Sequence, residues 1–189
     1  VRPMMIVSAL QSAYGSSAVG LYHVSNQILQ TPAAVISQAL AQVHYRKLLE
    51  LESSVQMRRY LIVTLCALLS VSIFAVLVVF YFSDMLVPLL FGDKWIGLEA
   101  TMRLLVGVVA VNLIVAPLVF IFHVRRMHRE FLTLGVVYNF ACIVSVVLAS
   151  RMFGGMNAAL EVYVFVAMLA LVAIGVRSVV LTLSLRSEG

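Results

Sequence analysis

Eight hydrogen-bonding side chains crowd one uncharged stretch of this sequence. His23, Asn26, Gln27, Gln30, Thr31, Ser37, Gln38 and Gln42 lie between Arg2 and Arg46, and no Asp, Glu, Lys or Arg stands between those two arginines. Projected at helical periodicity, they fall within an arc of roughly 160°. Ile28, Leu29, Val35, Ile36, Ala39 and Val43 take the opposite arc, with Ser25 as the exception. Amides and hydroxyls bind water, sugar hydroxyls or phosphate oxygens through hydrogen bonds. In hydrocarbon such groups need partners, so the arc either lines a water-filled path or bonds neighbouring helices across a dry interface. The number of amides favours the path.

Other candidates are sparser. Arg103 opens a helix, as an interface anchor or a phosphate ligand. Asn112 stands nine residues later, on the other side of that helix, where the two cannot easily share one cavity. Glu161 is the one acid placed inside a span. It snorkels, faces a cavity, or pairs with Arg151 or Arg103. An ion-coupling carboxylate is therefore expected outside this chain. His23, His44, His123 and His128 lack metal-ligand spacing, and Cys66 and Cys142 lie singly in apolar runs. No metal site or cofactor is expected. There is no Ser/His/Asp set, no pair of acids, no P-loop and no glycine fingerprint, so no catalytic residue is assigned and an enzyme is not expected.

These side chains need elements to hold them. The chain is 63% hydrophobic and 11% charged, with a mean hydropathy of +1.08. So few charges cannot cover a soluble domain, and so much apolar surface excludes disorder. A multi-pass membrane protein remains. The net charge of +5 is spread over short segments between apolar runs. It reads as orientation in a bilayer, with no nucleic-acid partner. Residue 1 is Val, with no basic n-region or cleavage site, which reads as a fragment without a signal peptide.

The fold class expected is all-α: a transmembrane helix bundle of five spans plus a partial helix, with no soluble domain in 1–189. Residues 4–14 read as the end of a helix, and Gly15-Ser16-Ser17 as a turn. The first span is 18–43, bent at Pro32. A polar loop, 44–59, follows. Tyr60 to Phe82 is about 35 Å of helix, enough to cross a core of about 30 Å. Segment 83–103, with Pro88, Gly92-Asp93-Lys94 and Trp95, reads as an interfacial loop. Further spans are predicted at 104–124, with a hinge at Pro117, at 131–150 and at 158–176. A polar turn at 125–130, a turn around Arg151, Gly154 and Gly155, and a tail from Arg177 complete the chain. Arg46, Lys47, Arg58, Arg59, Arg125, Arg126, Arg129, Arg177 and Arg186 fall on one side of this alternation. Arg2, Lys94, Arg103 and Arg151 fall on the other. The richer side is expected to be cytoplasmic.

Three stretches carry a family resemblance. Val19-Gly20-Leu21-Tyr22, Gln27-Ile28-Leu29 and Pro32, with the run to Val43-His44-Tyr45, form the first. Phe91-Gly92-Asp93-Lys94-Trp95, with Ala100 and Leu104-Leu105, forms the second. Phe153-Gly154-Gly155-Met156-Asn157-Ala158-Ala159 forms the third. In order and spacing, over residues 15–175, they resemble the lipid-linked oligosaccharide (O-antigen-type) polysaccharide flippases of the multidrug/oligosaccharidyl-lipid/polysaccharide exporter superfamily. Asn157 stands where that pattern has Gly, Glu161 where it has a small residue, and loop 44–59 lacks its Pro. The resemblance implies a two-lobed transporter of the bacterial plasma (inner) membrane, of which this chain is an incomplete C-terminal lobe. It implies alternating access and a polyprenyl-pyrophosphate-linked oligosaccharide carried to the outer leaflet in cell-surface polysaccharide (O-antigen, lipopolysaccharide) biosynthesis. The implied partners are the bilayer, the lipid-linked oligosaccharide, the N-terminal lobe and the polysaccharide polymerase machinery. Two alternatives stay open: an ion-coupled multidrug extrusion antiporter of the same superfamily, and a non-transporting structural subunit.

Overall fold

Long uncharged runs of Leu, Val, Ile, Ala and Phe fold as helices in hydrocarbon, where backbone N–H and C=O groups must bond within their own segment. A computed structural model describes residues 2–50, 54–92, 95–124 and 126–184, and among these every regular element is helical. The elements are α1 (Arg2–Glu50), α2 (Ser54–Phe91), α3 (Leu98–Leu118), α4 (Ile121–Val124), α5 (His128–Met152) and α6 (Met156–Leu183). The chain is an all-α multi-pass membrane bundle.

α3 is its centre. It packs on α1, α2 and α6, while α5 closes against α6 and α1. Over the apolar span, 56% of α3 with α4 is buried against 11% of α2, so α2 is the most exposed of the four membrane-length helices. Leu98, Leu105, Val109 and Leu113 recur at helical spacing along α3 and meet Tyr22 and Leu29 of α1, Val87 of α2, and Leu160, Tyr163, Ala167 and Leu171 of α6. The Tyr22 and Tyr163 rings stand edge to face at 6.4 Å. α3 and α6 approach closely because Gly175 has no side chain; a Cβ there would sit 3.0 Å from Val115 Cγ2.

The loops alternate between two ends. At one end the Tyr14 hydroxyl donates to the Phe153 carbonyl (3.0 Å), and the Ser25 hydroxyl to the Leu98 carbonyl (3.4 Å). At the other, Met57, Ile121, Phe122 and Leu181 form a second apolar cluster, and Arg177 Nε donates to Glu130 Oε1 at 2.6 Å.

Four helices are long and apolar enough to cross a membrane among the described residues: 55–91, 98–123, 128–152 and 156–183. Five spans were expected. α1 has the length but not the apolarity, because its amides lower it. It nevertheless follows α3 from the level of Ser25, beside Leu98, to that of Gln42, beside Phe120.

The helices overrun their expected ends. Loop 44–59 is nearly all helix, since α1 reaches Glu50 and α2 starts at Ser54. Its Lys, Leu, Glu, Gln and Arg are good helix formers, and charge ends a membrane crossing without ending a helix. The expected loop 83–103 is helical to Phe91. Pro88 removes one backbone donor close to the helix end, where the loss is small. The stop is Gly92, at φ 74°, whose N–H bonds the Pro88 carbonyl at 2.9 Å. Trp95 to Gly97 then lead into α3, and Glu99 accepts the Gly97 N–H at 3.2 Å. α6 runs on to Leu183, so Arg177 belongs to a helix and not to a tail. Asp93, Lys94, Arg125 and residues 185–189 with Arg186 lie outside the described residues.

The expected turn at 15–17 contracts to one residue. Gly15 (φ 84°, ψ −179°) is the sole non-helical point within α1. Pro32 is carried without interruption. Pro117 does mark a break: the chain turns at Val119–Phe120, with Phe120 N–H on the Pro117 carbonyl (3.4 Å) and Phe122 N–H on that of Val119 (3.1 Å), before α4 resumes.

Candidate functional site

The faces of α1 explain where its polar groups go. Ala18, Tyr22, Ser25, Leu29, Ala33 and Ser37 are buried, at spacings of three and four. This seam lies on α3. It leaves two open faces, one apolar with Val35, Ile36 and Val43, the other polar. His23, Gln27, Thr31 and Gln38 are exposed, and Asn26 and Gln30 are half-buried. Ser25, the outlier of the sequence projection, belongs to the seam.

The polar arc is therefore not the glue of this bundle. Among the described residues, the side-chain amides of Gln27, Gln30 and Gln38 make no hydrogen bond. The Thr31 hydroxyl satisfies itself on the Gln27 carbonyl at 2.8 Å. Ser37 differs from its neighbours: its hydroxyl is buried and has no partner. It lines a pocket of about 450 Å³ with Gln38, Gln42, Ala116 and Phe120. That pocket faces the backbone break after Pro117, whereas Pro32 lines a separate cleft between α1 and α2.

Arg103 is engaged. Its Nη2 lies 2.5 Å from Asp84 Oδ2 and 3.3 Å from the Phe80 carbonyl. A guanidinium paired in this way is not a bare phosphate ligand. Nor does it meet Glu161, which is exposed near the start of α6. Glu161 and Arg103 thus stand apart from the polar arc of α1.

Asp84 is the residue the sequence reading overlooked. It falls in the stretch 83–103 that the sequence presents as an interfacial loop. The helix continues past it through the apolar run Met85–Phe91, which was the available signal. An acid therefore does lie inside a membrane-length helix, alongside Glu161, and it is tied to α3.

No group of three His, Cys, Asp or Glu side chains suited to a metal occurs among the described residues. His123 and His128 meet edge on (5.5 Å), and with Phe120 and Phe131 they form an aromatic knot at the α4–α5 turn. What the open arc can do is exchange hydrogen bonds with a neutral, hydroxyl-rich or phosphate-bearing ligand.

A family model described as "Polysaccharide biosynthesis protein" matches residues 7–100. That stretch holds the polar arc, all of α2 and the start of α3. No curated protein and no solved structure matches the chain.

Proposed function

We infer, from this chain's belonging to the polysaccharide biosynthesis protein family through residues 7–100, that it is one lobe of a flippase. The cargo is an oligosaccharide linked to polyprenyl pyrophosphate, moved to the outer leaflet of a bacterial plasma membrane by alternating access. The observation that carries this reading is the uncharged polar face of α1, which the bundle leaves open. A facing lobe would complete a path along it.

Neutral amides suit such a task. A glycan offers many hydroxyls, and each amide can donate to and accept from them. Each such bond is worth only about 0.5–1.5 kcal/mol net, so the cargo can slide from one to the next without being trapped. The diphosphate needs cations. Arg103 is occupied by Asp84, so that role falls to other basic groups, of this chain or of the facing lobe. The antiporter alternative needs a free carboxylate. Asp84 is paired and Glu161 is exposed near the start of α6, so neither stands on the polar arc, and that uncharged arc is what favours a neutral glycan cargo.

The test is polysaccharide export by the full-length protein in a flippase-null strain. Replacing Gln27, Gln30 and Gln38 together by Leu should cut export by an order of magnitude or more, as three bonds are lost. Membrane levels of the protein should not change. The conservative variant Ile36→Leu, on the opposite face, should export normally. Full export by the triple variant would overturn the assignment.

A further inference from the structure

α1 and α2 both lie on α3 but hardly meet one another. Between them runs a cleft of about 390 Å³. Ile28, Pro32 and Ile36 form one wall, Phe74, Val78 and Val79 the other, and Val106, Val109 and Leu113 the floor. We propose that this cleft holds one acyl chain of a bilayer glycerophospholipid, whose ester oxygen accepts a hydrogen bond from Ser83.

The depth of the cleft fits one leaflet. Residues 28–36 of α1 rise about 12 Å and 102–113 of α3 about 16 Å, while the α2 lining runs from Val71 to Phe91, about 18 Å of it between Val71 and Ser83 and about 12 Å beyond Ser83. Half of the hydrocarbon core is about 15 Å. A chain from one leaflet fills the part between Ser83 and Val71.

The polar mark lies at the right level. Ser83 is 3% exposed, lines the cleft, and its hydroxyl has no partner. Asp84 and Arg103 form their ion pair beside it. Arg103 Nε, also buried, likewise lacks an acceptor. Hydrocarbon alone leaves the Ser83 donor in the cleft unsatisfied. The glycerol esters are the acceptors a bilayer supplies where its hydrocarbon begins.

The cleft also faces the correct way for a bilayer lipid and the wrong way for cargo. Ile28, Pro32 and Ile36 project roughly opposite to the polar arc of α1. A lipid-linked glycan with its sugars on that arc would have to straddle the helix to place its own tail here. The rim residues Phe74 and Leu90 are 68% and 69% exposed and continue the open surface of α2. Once seated, the acyl chain packs against Pro32, where the Ile28 carbonyl has lost its backbone donor. The lipid then braces the substrate-path helix at Pro32.

The test places p-benzoylphenylalanine in the full-length protein, in one variant instead of Phe74 and in another instead of Phe140. The latter is 67% exposed on α5, a matched control. After detergent purification and irradiation, intact mass should show a phospholipid adduct at 74 and only detergent at 140. Ala110→Phe fills the cleft from the floor and Ala75→Phe from the α2 wall, and either should abolish the adduct. Ser83→Ala should lower it about threefold to tenfold, the worth of one hydrogen bond. Added polyprenyl-linked glycan should leave it unchanged. A cross-link to a peptide of the protein itself, displacement by the glycan lipid, or equal detergent adducts at both positions would each overturn the proposal.

Discussion

A carboxylate within a membrane-length helix is costly alone and tolerable when paired. Asp84 and Arg103 supply such a pair, between α2 and α3. Asp84→Asn leaves Arg103 without its counter-charge, and Arg103→Met leaves Asp84 without its own. Each single change should lower the thermal midpoint in detergent more than the double change does. The coupling in that double-mutant cycle should be on the order of 1 kcal/mol, the upper range for interhelical polar pairs in membranes. Additive losses would show that the pair contributes nothing beyond its separate residues. Ser25 teaches the complementary lesson. In projection it was a misplaced polar residue; in the fold its hydroxyl caps the Leu98 carbonyl at the α3 start. Side-chain types were readable from the sequence at both positions. Their partners were not, because those come from helices far away along the chain.

At the level of elements, apolar runs were legible and helix ends were not. The run from Tyr60 announces a crossing because every residue to Phe82 is uncharged. Where the helix itself stops depends on backbone bonding, which continues through Asp84 and Pro88 until Gly92 adopts a left-handed conformation. Gly15 was visible as a turn, but not as a kink inside one long helix. Its φ of 84° strains any L side chain, although a Cβ there meets nothing within 4 Å. Gly20 is equally open but helical. Gly15→Ala should therefore destabilise by about 1–2 kcal/mol through the backbone alone. Gly20→Ala should be neutral or stabilise by up to about 1 kcal/mol. Thermal unfolding of the two variants compares them directly. Equal behaviour would mean that α1 can run straight through Gly15.

For the whole molecule, the bundle explains why one helix can be both structural and functional. α1 gives one stripe to α3, one apolar face to its surroundings, and keeps its amides on a third. That division follows from residue spacing, which is why the open polar face of α1 was legible before the fold, whereas the ion pair of Arg103 and the burial of Ser37 depend on helices far away along the chain. The central claim is that the third face borders an aqueous substrate path. Accessibility tests it most directly. In the full-length protein freed of other cysteines, Cys66 and Cys142 included, single cysteines replace Gln27, Gln30 and Gln38. Others replace Leu29, Ile36 and Val43 as controls. A small hydrophilic thiol reagent should label the first three and spare the controls, with position 27 reached from outside and position 38 from the cytoplasm. Glycan lipid should change that labelling. Unreactive cysteines at 27, 30 and 38 from both sides of the membrane would contradict the claim and leave those amides as contacts to another helix.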